Sequence, residues 1–306
     1  MKILVTIPHY YNAATKGIYG SLNEAEKSRI NAIRQTVTAL HELCTFPAAY
    51  VEQEVSGEGE EKKIYRIFKP ADTKLLCDLK IVFVTTAEDH LLDKLELPEG
   101  LFEHRIVNIS DPRYLGFACH QVLLKEKGNY DYYCYMEDDL VIEDPFFFRK
   151  LSWFEKQFGT KYLLQPHRFM RGLKPVYKEY VDQEYKRYTE YWIDYADKPI
   201  LQAEFLGSPL SFFPTRNPHT GCFFLTAAQY ELMSSRYGYA VPNHQFAGPL
   251  ESAASLDIIK TFDIYRVCFD YASFFALNHK GNRPFCGIPE VIDTTAFAAL
   301  GYSLVD

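Results

Sequence analysis

The run YCYMEDDLVIEDPFFF (Tyr133 to Phe148) constrains the fold of this chain more than any other feature. It reads as a buried strand that ends on three consecutive carboxylates, Glu137, Asp138 and Asp139. Like charges repel, and a carboxylate without a partner is costly to remove from water. Such a strand either runs out into a solvated turn or delivers its acids to a cation.

The segments before it show the same economy. KILVTIP (Lys2 to Pro8) is a short apolar run rich in β-branched residues, the signature of a strand buried in a parallel sheet. A polar loop follows, and then LNEAEKSRINAIRQTVTALHELC carries Ile30, Ile33, Val37, Leu40 and Leu43 at helical spacing. Ser21, with Glu24 three residues on, matches the cap of that helix. VSGEGEEKK (Val55 to Lys63) is a turn, KIYRIF and LKIVFVTT are strands, and HRIVNIS (His104 to Ser110) is another short one. DPRYLGFACHQVLLKEKGN predicts a helix capped by Asp111, with Pro112 at its first position and Gly128 at its end.

Strand and helix alternate in this way through residue 140, which predicts an α/β fold with a mostly parallel sheet and helices on both faces. Beyond about residue 150 the alternation fades, and 160–215 is rich in aromatic and charged residues. YLLQPHRF, HTGCFFLTAAQYELM, GPLESAASLDIIKTF and DIYRVCFDYASFFALNHKGN predict further strands and helices. With no flexible linker in view, the second half is expected to pack onto the same sheet. The expected organisation is a single domain over 1–306.

Composition narrows the class. The 306 residues carry a net charge of −7, which argues against a nucleic-acid surface. Aromatic residues make up 16%, which suits either an aromatic core or a sugar-binding surface. The seven cysteines are odd in number and form no CxxC, as expected of reduced thiols rather than a disulfide framework or a zinc site. No apolar run reaches the length of a membrane span, and the N-terminus lacks the pattern of a signal peptide. A cytoplasmic location follows as the expectation, peripheral to the membrane if the substrate is lipid-linked.

In parallel sheets ligands bind beyond the carboxyl ends of the strands. PHYYN and EDD both fall there, so they are expected to share one crevice. Neither GxGxxG nor GxxxxGK[ST] occurs, which disfavours a nicotinamide dehydrogenase or a P-loop nucleotidase. Carboxylate oxygens are hard ligands suited to Mg²⁺ or Mn²⁺, ions that leave coordination positions for phosphate oxygens.

With these residues in place, YMEDDLVIEDPFFFRKLSWF resembles the strand, acidic motif and following helix of GT-A-type glycosyltransferases. The EDD is similar to the variant of the DxD motif found in the N-acetylglucosaminyltransferase I family, and the chain also looks like family 2 glycosyltransferases. ILVTIPHYYN resembles the first strand and donor loop of that fold. HTGCFFLTAAQYELM resembles its acceptor-side strand and helix, and GPLESAASLDIIKTF the segment bearing the catalytic base. The resemblance implies a GT-A-like (Rossmann-like) domain, with 1–140 binding a nucleotide sugar and 141–306 binding the acceptor.

It also implies roles for particular residues. Asp139 would bind a divalent cation, Mn²⁺ or Mg²⁺, and His279 would complete its shell. Asp138 would assist through water or the ribose, and Glu137 would orient the nucleotide. Thr6, Pro8 and His9 would line the base and ribose of a UDP- or GDP-sugar; His9 reads equally as a hydrogen-bonded loop histidine. Glu251 would be the catalytic base, with Asp257 as the alternative and helix-end stabilisation as the plain reading. Lys280 would meet a phosphate, while Arg168, His219 and Thr220 would face the acceptor, a glycan or lipid-linked hydroxyl. Two other functions remain open on the sequence: a nucleotidyltransferase, for which IPHYYNAATKG is a poor phosphate loop, and a carbohydrate-binding protein with a degenerate transferase fold.

Overall fold

A computed structural model describes residues 1–14, 26–44, 48–71, 77–171, 178–182, 198–215, 217–246, 248–281 and 294–299. In chain order the first half contains β1 (Lys2–Pro8), α1 (Glu26–Cys44), β2 (Ala48–Ser56), β3 (Lys63–Ala71), β4 (Asp78–Thr85), β5 (Glu103–Ile106), α2 (Leu115–Lys125) and β6 (Tyr132–Met136). The second half contains β7 (Leu140–Val141), α3 (Phe147–Phe158), β8 (Tyr162–Leu164), β9 (His167–Arg171), β10 (Lys178–Tyr180), β11 (Leu201–Phe205) and β12 (Ser208–Pro214). It closes with β13 (Cys222–Thr226), α4 (Ala227–Ser234), α5 (Pro249–Ile259), β14 (Asp263–Val267), β15 (Ala276–His279) and α6 (Thr294–Ala299).

The central sheet has the order β13-β6-β1-β4-β5. Strands β6, β1, β4 and β5 run parallel, and β13 joins β6 antiparallel. The α/β class with a largely parallel sheet is therefore as the sequence predicts. The period-two alternation of β1 explains its two covered faces. Ile3, Val5 and Ile7 pack with Ile33, Val37 and Leu40 of α1 and with Phe147 and Phe154 of α3. Leu4 faces the other way, into a cluster with α2, α4 and α5. Each such fully buried side chain contributes roughly 1.5–3 kcal/mol relative to exposure. No helix among the described residues is long and apolar enough to cross a membrane.

Three local differences from the expectation have simple causes. The helix at Pro112 begins as a 3₁₀ turn, Pro112–Tyr114, because Asp111 Oδ1 accepts from the Arg113 amide at 3.0 Å and tightens the entry. The α1 helix is described from Glu26, so the Ser21 cap and Glu24 lie outside the described residues. The third concerns the second half, where only β13 extends the central sheet. The other strands build two further four-stranded sheets, β10-β9-β15-β7 and β11-β12-β14-β8, stacked over α3 through an aromatic core that includes Phe147 and Phe275. Within 160–215, residues 172–177 and 183–197 lie outside the described residues.

Candidate active site

The triplet leaves the sheet where β6 ends. All five residues of β6 are buried, and the Glu137 amide donates to Gly221 O at 2.9 Å, extending the β6–β13 pairing by one step. The Thr36 hydroxyl of α1 lies 3.2 Å and 3.1 Å from the carbonyl oxygens of Asp138 and Leu140, fixing the backbone as it turns.

Asp138 is 1% exposed and fully engaged. Its Oδ2 meets His9 Nδ1 at 2.5 Å, and its Oδ1 accepts from Arg29. The Leu91 amide donates to His9 Nε2 at 3.0 Å, so the proton of a neutral His9 sits on Nδ1 and points at Asp138. His9 thus has the contacts of the hydrogen-bonded loop histidine that the sequence equally allowed. Both nitrogens of His9 are taken inside the protein, which leaves neither for a base or ribose. Asp138 is a buried hydrogen-bonded ion-pair residue, without the exposure needed to reach a ribose through water. Thr6 is likewise a core residue: it is 0% exposed and its hydroxyl donates to Cys134 O at 3.1 Å. Pro8 closes β1 and is buried.

The other two acids stand differently. Ligand atoms of Glu137, Asp139 and His279 all lie within 4.8 Å of one another. Asp139 Oδ2 accepts from Arg29 at 2.9 Å and lies 3.6 Å from His279 Nε2, while its Oδ1 is buried with no hydrogen-bond partner among the described residues. Burial opposes ionisation of Asp139, but His279, Arg29 and Arg168 outweigh it and hold the carboxyl below its usual range. Burial pulls the His279 imidazole below its ordinary range, against the attraction of Asp139. Burial, opposed by Arg168 and reinforced by Asp139, Glu251 and Asp138, pushes Glu137 up to about 8.

Two glycines give these groups their room. Gly221 adopts φ +65°, and a Cβ there would overlap the Glu137 carboxylate. A Cβ on Gly281 would stand 2.6 Å from Asp139 Oδ2 and 2.9 Å from His279 Nε2. Two carboxyl groups and an imidazole, with one carboxyl oxygen orphaned among the described residues, form a donor set that fits Mn²⁺ and, through its oxygens, Mg²⁺. The structure thus groups Glu137 with Asp139 and His279, where the sequence had assigned it to the nucleotide.

Glu251 lies in the first turn of α5, near enough for its charge to contribute to the raised pKa of Glu137. No hydrogen bond or ion pair to its carboxylate is found among the described residues. Asp257, the alternative base, faces elsewhere: its Oδ2 accepts from the Ala240 amide at 3.1 Å and lies 3.8 Å from His120 Nδ1. Arg168 is held by Asp182 (2.8 Å and 2.9 Å) and reaches Glu137 Oε2 at 3.8 Å, so it belongs to the acidic site itself. His219 Nδ1 lies 3.3 Å from Ser255 Oγ, and Thr220 is 0% exposed with its hydroxyl donating to Cys222 O, an interior position. Lys280 is tied by its backbone, donating to Asp139 O at 2.8 Å.

Sequence reasoning passed over Arg29, Thr36 and Asp182. The first two carried a signal. Arg29 stands four residues before Ile33 and Thr36 four before Leu40, so both fall on the apolar stripe of α1 where a polar residue needs a buried partner. Asp182 offered no local cue, since its role is defined by Arg168 across a separate strand.

No known protein-family model matches the chain, and no curated protein matches it by sequence. Among solved structures it is similar to residues 1–349 of TarS from S. aureus, at 11% identity and a TM-score of 0.43, covering 91% of this chain and 60% of that one. A structure of the same TarS fragment in complex with UDP-GlcNAc gives 10% identity and a TM-score of 0.37, covering 87% and 58%. Mouse xyloside xylosyltransferase 1 gives 14% identity and a TM-score of 0.35, covering 85% and 82%. The chain thus spans about three fifths of the TarS fragment, and similarity at this level does not assign a reaction.

Proposed function

We propose that this protein is a metal-dependent glycosyltransferase that moves a sugar from a nucleotide-diphosphate sugar to a hydroxyl of a glycan or lipid-linked acceptor, with inversion. One observation carries the reading: Glu137, Asp139 and His279 converge within 4.8 Å at the carboxyl end of a parallel-sheet strand. The GT-A resemblance of YMEDDLVIEDPFFFRKLSWF supports it. A bound Mn²⁺ or Mg²⁺ supplies charge neutralisation for a departing diphosphate.

The chain's own residues supply the rest. Glu251 accepts the proton of the acceptor hydroxyl as its oxygen forms the new bond to the anomeric carbon. The bond from that carbon to the diphosphate breaks on the opposite face, and the electron pair leaves with the nucleotide. Arg168, braced by Asp182, keeps a positive charge beside Glu137 throughout. The cytoplasmic, membrane-peripheral placement belongs to the same proposal, supported by the free cysteines Cys77, Cys119, Cys134, Cys222 and Cys268.

A second reading has one observation in its favour. Arg29 and Arg168 already compensate part of the triplet's charge, as they would in a glycan-binding protein that had lost catalysis. Thermal-shift measurements with UDP- and GDP-sugars, with and without Mn²⁺, separate the two. The transferase reading expects stabilisation that needs both nucleotide sugar and Mn²⁺, followed by release of nucleoside diphosphate when a suitable acceptor is added. Stabilisation by glycans alone, indifferent to Mn²⁺ and nucleotide, would overturn it.

A further inference from the structure

Arg29 occupies an unusual position for a site that takes a cation. Its guanidinium forks across two adjacent carboxylates, one nitrogen on Asp138 Oδ1 and the other 2.9 Å from Asp139 Oδ2. The helix α1 that carries it is anchored against β1, so the side chain is delivered to the triplet from the N-terminal half. Burial penalises the charged guanidinium, but Asp138, Asp139 and Glu137 outweigh that penalty. Its Nε–H is buried and has no hydrogen-bond partner among the described residues, which leaves this donor open to a ligand. The side chain is 16% exposed, which leaves it within reach of an incoming ligand.

A divalent ion taken up by Glu137, Asp139 and His279 would share Asp139 with this fixed positive charge. Cation and guanidinium repel at such range, and the repulsion is strong where solvent is scarce. A diphosphate reverses the sign of the problem, because its oxygens accept from an arginine fork and carry the charge that a cation and an arginine both seek.

We propose that Arg29 is a resident counter-cation of the acidic triplet, which disfavours a divalent ion alone and favours it together with a diphosphate, so that the two ligands bind as a unit. The inference rests on the metal-dependent reading above. It makes Arg29 a diphosphate-binding residue of that site and makes the metal's affinity conditional on the nucleotide. By linkage, whatever factor the nucleotide adds to metal affinity the metal adds to nucleotide affinity.

The test measures binding rather than turnover. Mn²⁺ binding to the full chain is followed by electron paramagnetic resonance without nucleotide. UDP and, separately, GDP binding is followed by calorimetry in EDTA and in saturating Mn²⁺. In the wild type, Mn²⁺ is expected to strengthen binding of one nucleotide by about tenfold or more, within the usual range of allosteric coupling. Arg29→Met should bind Mn²⁺ alone about tenfold more tightly than wild type, and its coupling should fall below about threefold. Arg29→Lys keeps a charge beside Asp138 and Asp139 and so guards against a variant that fails to fold. It cannot fork across both carboxylates, and its coupling should also fall. Wild-type coupling in both variants, or in Arg29→Lys if Arg29→Met does not fold, would overturn the role of Arg29 and leave the transferase reading intact. If wild-type protein takes up no Mn²⁺ with or without nucleotide, the metal reading itself fails.

Discussion

Asp138 and Glu137 are neighbours in sequence and opposite in circumstance. On the Asp138 side, a carboxylate, an imidazole and a guanidinium interlock, with His9 donating to one oxygen and Arg29 to the other. On the Glu137 side, Arg168 stands off at 3.8 Å, and among the described residues one oxygen of Asp139 and the buried Nδ1 of His279 have no partner. A buried polar group that is fully paired is part of the scaffold, whereas one left short of partners invites a ligand. The middle acid of the triplet is therefore tied into the fold, while the two outer acids keep capacity for a ligand.

The comparison breaks most sharply under a pair of substitutions with opposite signatures. Glu251→Gln preserves shape and removes a proton acceptor, so transfer should fall about 10²–10⁴-fold while thermal stability stays at the wild-type value. Transfer within a few-fold of wild type would reduce Glu251 to a favourable charge at the N-terminus of α5. On the paired side, Asp138→Ala strands Arg29 and His9 in the interior and should destabilise by about 3–5 kcal/mol, read from urea denaturation. If that loss is under about 1 kcal/mol, the interlocked side is not structural.

How the two sides could have been told apart from sequence is instructive. The sheet was legible because KILVTIP and YYCYM are short apolar runs, and such runs announce burial without help from the rest of the chain. The site was half legible. Asp139 and His279 do stand together, and the charge of Glu251 reaches Glu137 while Asp257 accepts from the Ala240 amide. What the sequence could not show is which acid of three equal neighbours would be neutralised in place. That depends on Arg29, Arg168 and Asp182 arriving from other elements, and on His9 being drawn inside by the Leu91 amide. Thr6 illustrates the same limit, since a strand-end threonine reads identically whether its hydroxyl meets a ligand or Cys134 O.

Smaller effects sharpen the picture. Asp139→Asn keeps size and deletes one charge from the under-paired side, and should weaken Mn²⁺-dependent nucleotide binding by at least about tenfold in calorimetry. Its stability loss should be well below that of Asp138→Ala, because among the described residues only one of its oxygens has a hydrogen-bond partner; equal losses would erase the distinction between the sides. Acidification supplies the gentlest test. Burial, together with the nearby charge of Arg168, lowers the His219 pKa from 6.5 to about 3. Below pH 6.5 the unfolded chain takes up a proton there that the folded chain refuses. The stability owed to neutral His219 is present above that pH and drains away as pH falls towards about 3. The slope from this one group should not exceed about 1.4 kcal/mol per pH unit, and His219→Gln should flatten it. An unchanged slope in that variant would show that His219 titrates normally.

The antiparallel entry of β13 beside β6 bears on how the molecule is made. Cys222 pairs with Met136 and Thr226 with Tyr132, so residues more than eighty positions apart become immediate neighbours. A ribosome delivering this chain finishes β1, β4, β5 and β6 long before β13 exists. During that interval the outer edge of β6 is open, and an open edge is a template for pairing with another chain. The acids at its tip also lack Arg168, His279 and the Gly221 carbonyl, all of which are translated later. The growing chain thus carries an acidic strand end with an open edge through the more than eighty residues that separate β6 from β13, until β13 returns to pair with it.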